Sequence, residues 1–199
     1  TQDREKKEED IDITLNDGGD GKYYATLCLP FDVTLSDGTS AYTLTLNNSK
    51  SGLTLSDAMS QIPAGTPVVL RGTSATATAT INTGNDFETI DNGSLTGTYV
   101  ARDVDGTNDY FFGKGTNGVG FYHWTGSTLA ANRAYLPASA LEEGRNVKGF
   151  ALNFDMTTAI EALNAKEASE GKIYNLAGQR LNSLQRGINI VNGKKVIKK

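Results

Sequence analysis

The residues best suited to chemistry lie in "FYHWTG", positions 121–126. Tyr122 and Trp124 are two positions apart, so on a strand they share a face with side chains roughly 7 Å apart. Aromatic faces at that spacing can stack on the apolar faces of sugar rings while neighbouring Asn or Asp side chains bond the hydroxyls. Tyr122 and Trp124 are therefore the candidate ligand-binding pair, and the plainer reading packs both rings beneath a neighbouring sheet. His123 between them is the only histidine, so any Ser-His-Asp chemistry must be built on it. No G-x-S-x-G elbow is present to supply the nucleophile. Alternation puts His123 on the face of Val119 and Phe121, which predicts a packed core residue.

A second group lies in "DVDGTND", 103–109. Asp103, Asp105, Asn108 and Asp109 offer oxygens around Gly106, the donor type that calcium takes. The twelve-residue loop form fails, because its first position is Ala101 and its last is Phe112. These four are candidate metal ligands, with a plain polar loop as the simpler reading. "NDGGDG" at 16–21 is a weaker version of the same pattern. "GKGTNG" at 113–118 matches G-x-G-x-x-G, but a dinucleotide site needs a helix after it, and the next residues, "VGFYHW", are strand-like. It reads as a turn. Glu142 and Glu143 are adjacent and point apart if extended, a poor glycosidase pair. Cys28, the single cysteine, alternates within "YYATLCLPF" and reads as a buried inert thiol. No catalytic residue and no cofactor site is assigned, calcium being the one cofactor left open, and the chain is not expected to be an enzyme.

The elements that must hold these residues are strands. Short runs such as "KYYATLCLPF", "AYTLTLNN", "PVVLRG", "SATATATIN", "GVGFYHW" and "VKGFALNFD" are separated by Gly, Asn and Asp turns at short intervals. In "AYTLTLN", Tyr42, Leu44 and Leu46 alternate with Thr43 and Thr45, as in one half-buried strand. In "SATATATIN", Ala75, Ala77, Ala79 and Ile81 share a thin face suited to close approach. The pattern predicts an all-β chain with an antiparallel β-sandwich or jelly-roll-like body, since a parallel sheet needs crossover helices. Residues 1–10 read as a charged linker, 11–156 as the sandwich domain, 157–170 as a linker or short helix, and 171–199 as a small C-terminal β-meander.

Charge divides the chain unevenly. Residues 171–199 hold seven Lys or Arg and no acid, and the other 170 hold twelve against twenty-three acids. An acidic body disfavours nucleic acid, and no apolar run of eighteen residues offers a membrane span. One cysteine excludes an internal disulfide. In the tail, Asn192-Gly193 between two β runs is a hairpin signal.

The tail pattern "IYNLAGQRL…GINIVNGKKVIKK" resembles the C-terminal segment of many exported Bacteroidetes proteins, and is similar to a short sorting domain of the type IX secretion system. "YYATLCLPFDVTL", "IPAGTPVVLRG", "GKGTNGVGFYHWTG" and "KGFALNFD" resemble a companion module of surface proteins in that phylum. The resemblance implies an address rather than a reaction: exported, and at the cell surface or outside it. It also implies the secretion apparatus as a partner of the tail. The expected role is a non-catalytic structural or adhesive module that meets cell-surface components. The alternative is a carbohydrate-binding module that takes glycans on Tyr122 and Trp124. An accessory domain of a larger exported enzyme stands third.

Overall fold

In the computed structural model, the described residues are 9–105, 107–124, 126–141, 147–154 and the strands Ile160–Glu161, Ile173–Asn175, Arg180–Leu181, Gly187–Val191 and Lys194–Lys198. The chain is all-β and divides into two compact units, Thr1–Ala162 and Leu163–Lys199. Every strand pairing among the described residues is antiparallel, and the one helical turn among them is Ala138–Ala140. Among these residues no helix is long and apolar enough to cross a membrane.

The first unit begins with two four-stranded sheets. One has the order Asp10–Thr14, Thr76–Ile81, Val33–Leu35, Gln61–Ile62; the other runs Asn16–Asp17, Tyr23–Leu27, Val68–Gly72, Thr39–Tyr42. They share one core that includes Ile13, Leu27, Val33, Leu70, Ala77 and Ala79. Ala77 and Ala79 put a thin face of the Thr76–Ile81 strand on this core, opposite Ile13 and Ile11 of the Asp10–Thr14 strand. The chain passes from one sheet to the other at buried Leu15, whose N–H donates to Ala75 O. On the far side Met59 bridges to Ala41 of the second sheet while Gln61 and Ile62 pair with the first. Main-chain bonds thus tie the two sheets at Leu15 and at Met59.

Val68, Val69 and Leu70 are consecutive and all 0% exposed. An unbroken apolar run fits a strand covered on both faces. Val68 and Leu70 enter the first core, and Val69 enters a second one with Leu44, Tyr110, Phe121, Leu136 and Phe150. That second core lies under the hairpin of Phe111–Gly115 and Gly118–Tyr122, with Gly149–Ala151 paired to its second strand. Thr96–Thr98 pairs with Arg133–Tyr135 beside it. The layers are stitched at Thr26: its Oγ1 accepts the Ala134 N–H at 3.1 Å and its carbonyl accepts Arg133 Nη1 at 3.0 Å. A buried threonine is satisfied there by groups of the opposite layer.

One sequence expectation needs correction. "AYTLTLN" is two strands, Thr39–Tyr42 and Leu44–Leu46, in different sheets. The break is at Thr43, whose N–H donates to Ser56 Oγ and whose carbonyl accepts the Ser56 N–H, each at 3.0 Å. Within 157–170, Ile160–Glu161 is a short strand paired with Leu53 and Gly52. The rest of that segment lies outside the described residues.

The second unit is a four-stranded sheet in the order Arg180–Leu181, Ile173–Asn175, Gly187–Val191, Lys194–Lys198. Val191 stands opposite Lys194, the register of a two-residue hairpin connection, and Asn192-Gly193 itself lies outside the described residues. The closing strand is an edge and carries three lysines, a composition that discourages further strand pairing.

Candidate functional site

The Phe111–Gly115 and Gly118–Tyr122 hairpin shows what "GKGTNG" builds: Gly115 faces Gly118 across a two-residue turn, with no helix after it. One side of the hairpin, with Phe112, Val119 and Phe121, faces the second core. The other side carries Tyr122 opposite Phe111 and Gly149, with Gly113, Gly115, Gly118 and Gly120 along the same face. Two glycines, Gly115 and Gly149, leave room for the Tyr122 ring to lie back along the hairpin. A Cβ at Gly115 falls 2.6 Å from the ring Cζ, and one at Gly149 falls 2.4 Å from Cδ1. The Tyr122 hydroxyl donates to Gly118 O at 2.9 Å, which pins the ring. Burial pushes its phenol above the ordinary value.

Trp124 is on the surface. It is 47% exposed, so the reading that packs it beneath a neighbouring sheet does not hold. Its ring leans on the backbone at Gly126, where a Cβ would come within 2.2 Å of Cε2, and on Phe111 at a centroid distance of 5.9 Å. Phe111 stacks on Tyr135 at 5.9 Å and 26°. The Arg102 guanidinium then lies 4.2 Å from the Tyr135 ring centroid, and Arg102 Nη2 pairs with Asp109 Oδ2 at 3.0 Å. Asp109 Oδ1 accepts the Ala138 N–H at 2.8 Å. Trp124 is therefore the solvent end of a ladder of rings seated on the small cluster of Val104, Phe111 and Leu129.

His123 is exposed, contrary to the packed-core expectation. The strand ends at Tyr122, so alternation no longer governs the next residue. Its ring lies against Tyr110 at 4.2 Å, and Nδ1 is 3.3 Å from Asp109 O.

Two of the four candidate calcium ligands have protein partners. Asp109 holds Arg102 and Ala138, while Asp103 Oδ1 accepts the Asp105 N–H at 2.9 Å. Asp103, Asp105 and Asn108 are exposed, and Gly106 lies outside the described residues. Among the described residues no three or more His, Cys, Asp or Glu side chains gather as a metal site. "NDGGDG" is a turn in which Asp20 accepts the Tyr24 hydroxyl at 2.6 Å and the Lys22 N–H at 3.0 Å. The Tyr24 bond holds the Asp20 carboxyl below its usual range. Cys28 is 2% exposed, and burial pushes its thiol up. Glu142 and Glu143 lie outside the described residues.

The tyrosines supply a pH test. Burial, then the bond to Asp20, pushes the Tyr24 phenol up to about 12; burial also raises Tyr110 and Tyr122. The folded state disfavours the phenolate, so this contribution to stability is complete below the unfolded value of 10.0. It is lost as pH rises through that value towards about 12. Ultraviolet titration is expected to show a late-ionising subset of tyrosines, with stability to denaturant falling over the same interval. All tyrosines ionising together at the ordinary value in the folded chain contradicts this packing.

The sequence missed the ladder behind Trp124. Its members come from four separate segments, and only Gly126 two positions on hints that the indole folds back onto the backbone. No protein-family model, curated protein or solved structure matches the chain.

Proposed function

We propose that the chain is a non-catalytic adhesive module of an exported protein, and that it adheres by stacking carbohydrate on the Trp124 face. The observation that carries this is an indole 47% exposed yet held in place from behind by Phe111 and Gly126. A sugar that covers this ring removes its apolar surface from water. Pre-seating removes most of the ordering cost of that step. The Tyr122 ring lies back along the hairpin against Gly115 and Gly149, so Trp124 carries the face, and exposed His123 and Asn108 belong to the adjoining loops.

Magnitudes say what strength to expect. Covering roughly 100 Å² of apolar ring and sugar surface contributes about 2–3 kcal/mol. A few hydrogen bonds of about 1 kcal/mol each bring the total to the millimolar range of a single site. Adhesion at that strength works through many copies. A multivalent glycan array displayed to the whole chain tests the reading. Retention on a defined class of glycans is expected, and silence across the array overturns it.

The exported address rests on the tail's resemblance and on its charge, seven Lys or Arg with no acid over 171–199. Deletion of 171–199 is expected to leave the first unit folded and to change where the protein accumulates in its host. Normal surface levels of the truncated protein contradict a sorting role.

A further inference from the structure

A second surface is independent of the carbohydrate reading. The segment at 58–61 and the loop at 85–90 enclose a groove of about 730 Å³. Met59, Pro63, Phe87 and Ile90 give it an apolar lining, Asp86 and Glu88 give it negative charge, and no Lys, Arg or His among the described residues lines it. Ile90 is 39% exposed.

The groove is built rather than incidental. Asp32, 9% exposed, reaches both walls: Oδ1 accepts the Ala64 N–H at 2.6 Å and Oδ2 accepts the Phe87 N–H at 2.5 Å. Its carbonyl accepts the Asn82 N–H at 2.9 Å. Charge-assisted bonds to main-chain donors are among the stronger ones, so the loop carrying Asp86 and Glu88 is fixed before any partner arrives.

One wall is also a sheet edge. Gln61–Ile62 is the outermost strand of its sheet. Ser60 O accepts the Leu35 N–H at 2.8 Å, so Ser60 turns its main chain inward. In an antiparallel ladder the next residue turns outward, so Gln61, which lines the groove, is the position of this edge left open, Met59 two residues before it being paired with Ala41. Extended peptides add to such edges, with alternate side chains entering pockets.

We propose that this groove docks an extended, basic segment of a partner protein. Its main chain pairs with Gln61, an apolar side chain seats between Met59 and Ile90, and flanking lysines or arginines face Asp86 and Glu88. Charge selects this occupant: the groove is acidic, and so is the unit that carries it, with twenty-one acids against eleven Lys or Arg over Thr1–Ala162.

The test is fluorescence anisotropy of a labelled seven-residue peptide of alternating lysine and valine, capped at both ends, against the full chain. Saturable binding is expected, weakening as salt rises. Asp86→Lys with Glu88→Lys should weaken it at least tenfold. Gln61→Pro should do the same, because an edge strand tolerates proline on its outward side while losing the donor. Equal binding by the charge-reversed chain, or by an alternating glutamate and valine peptide, overturns the proposal. So does sedimentation showing that the chain self-associates through this edge and that Gln61→Pro dissolves the association, which assigns the groove to a second copy.

Discussion

Gly97→Ala is expected to destabilise the chain by about 1–3 kcal/mol, the range for overpacking a filled core. Adding Cys28→Ala to that variant is expected to recover only the part of the loss owed to Sγ, because alanine keeps the Cβ. A Cβ at Gly97 would stand 2.2 Å from Cys28 Sγ and 2.7 Å from its Cβ. Neither side has room to give: Cys28 is 2% exposed, and Ala134, paired with Gly97, is 0% exposed. The contact also lies where the Thr96–Thr98 strand passes over the end of the Tyr23–Leu27 strand, so a shift there disturbs the junction between the cores. Cys28→Ala alone should cost about 1 kcal/mol through the small cavity it leaves. At this chain length each kcal/mol moves the melting temperature by about 2–4 °C. A double variant no more stable than the sum of the singles contradicts the close approach.

Trp124→Ala is expected to abolish carbohydrate retention while lowering stability by less than about 1 kcal/mol. The ring supplies most of the apolar contact with a sugar, so its loss removes the larger part of a weak binding energy. Its structural share is small because only one side packs, on Phe111 and Gly126. Tyr122→Phe provides the contrast. It keeps the ring and removes the bond to Gly118 O, so it should cost about 1 kcal/mol of stability and leave retention nearly unchanged. Retention surviving in Trp124→Ala moves the ligand elsewhere on the surface.

Much of this architecture is readable from residue order, and the failures have physical causes. Alternation in "SATATATIN" and "GVGFY", with Gly, Asn and Asp turns between strands, leads directly to the all-β body. It misleads where a strand stops early. Nothing local marks the break at Thr43, which depends on Ser56 thirteen positions away. His123 departs from the core face because its strand ends one residue before it. Spacing would put Tyr122 and Trp124 on one face of a continuous strand, but the strand ends at Tyr122, and spacing cannot say which ring water reaches. That depends on the glycines across the hairpin and on Phe111, Tyr135 and Arg102 behind the indole. Asp109 shows the same limit: its type suits a cation ligand, and its partner is Arg102, seven positions back. The groove beside Gln61 combines distant segments through Asp32 and leaves no local motif.

Coverage of Trp124 by a sugar ring is directly observable, because the chain contains one tryptophan and its fluorescence reports this face alone. Titration of the whole chain with a soluble oligosaccharide of the class retained on the array is the direct measurement. A saturable change in the emission, with a millimolar midpoint and protection from an external quencher, is the result expected. An array-positive glycan that saturates the chain while emission and quenching stay unchanged places binding away from Trp124 and contradicts the account.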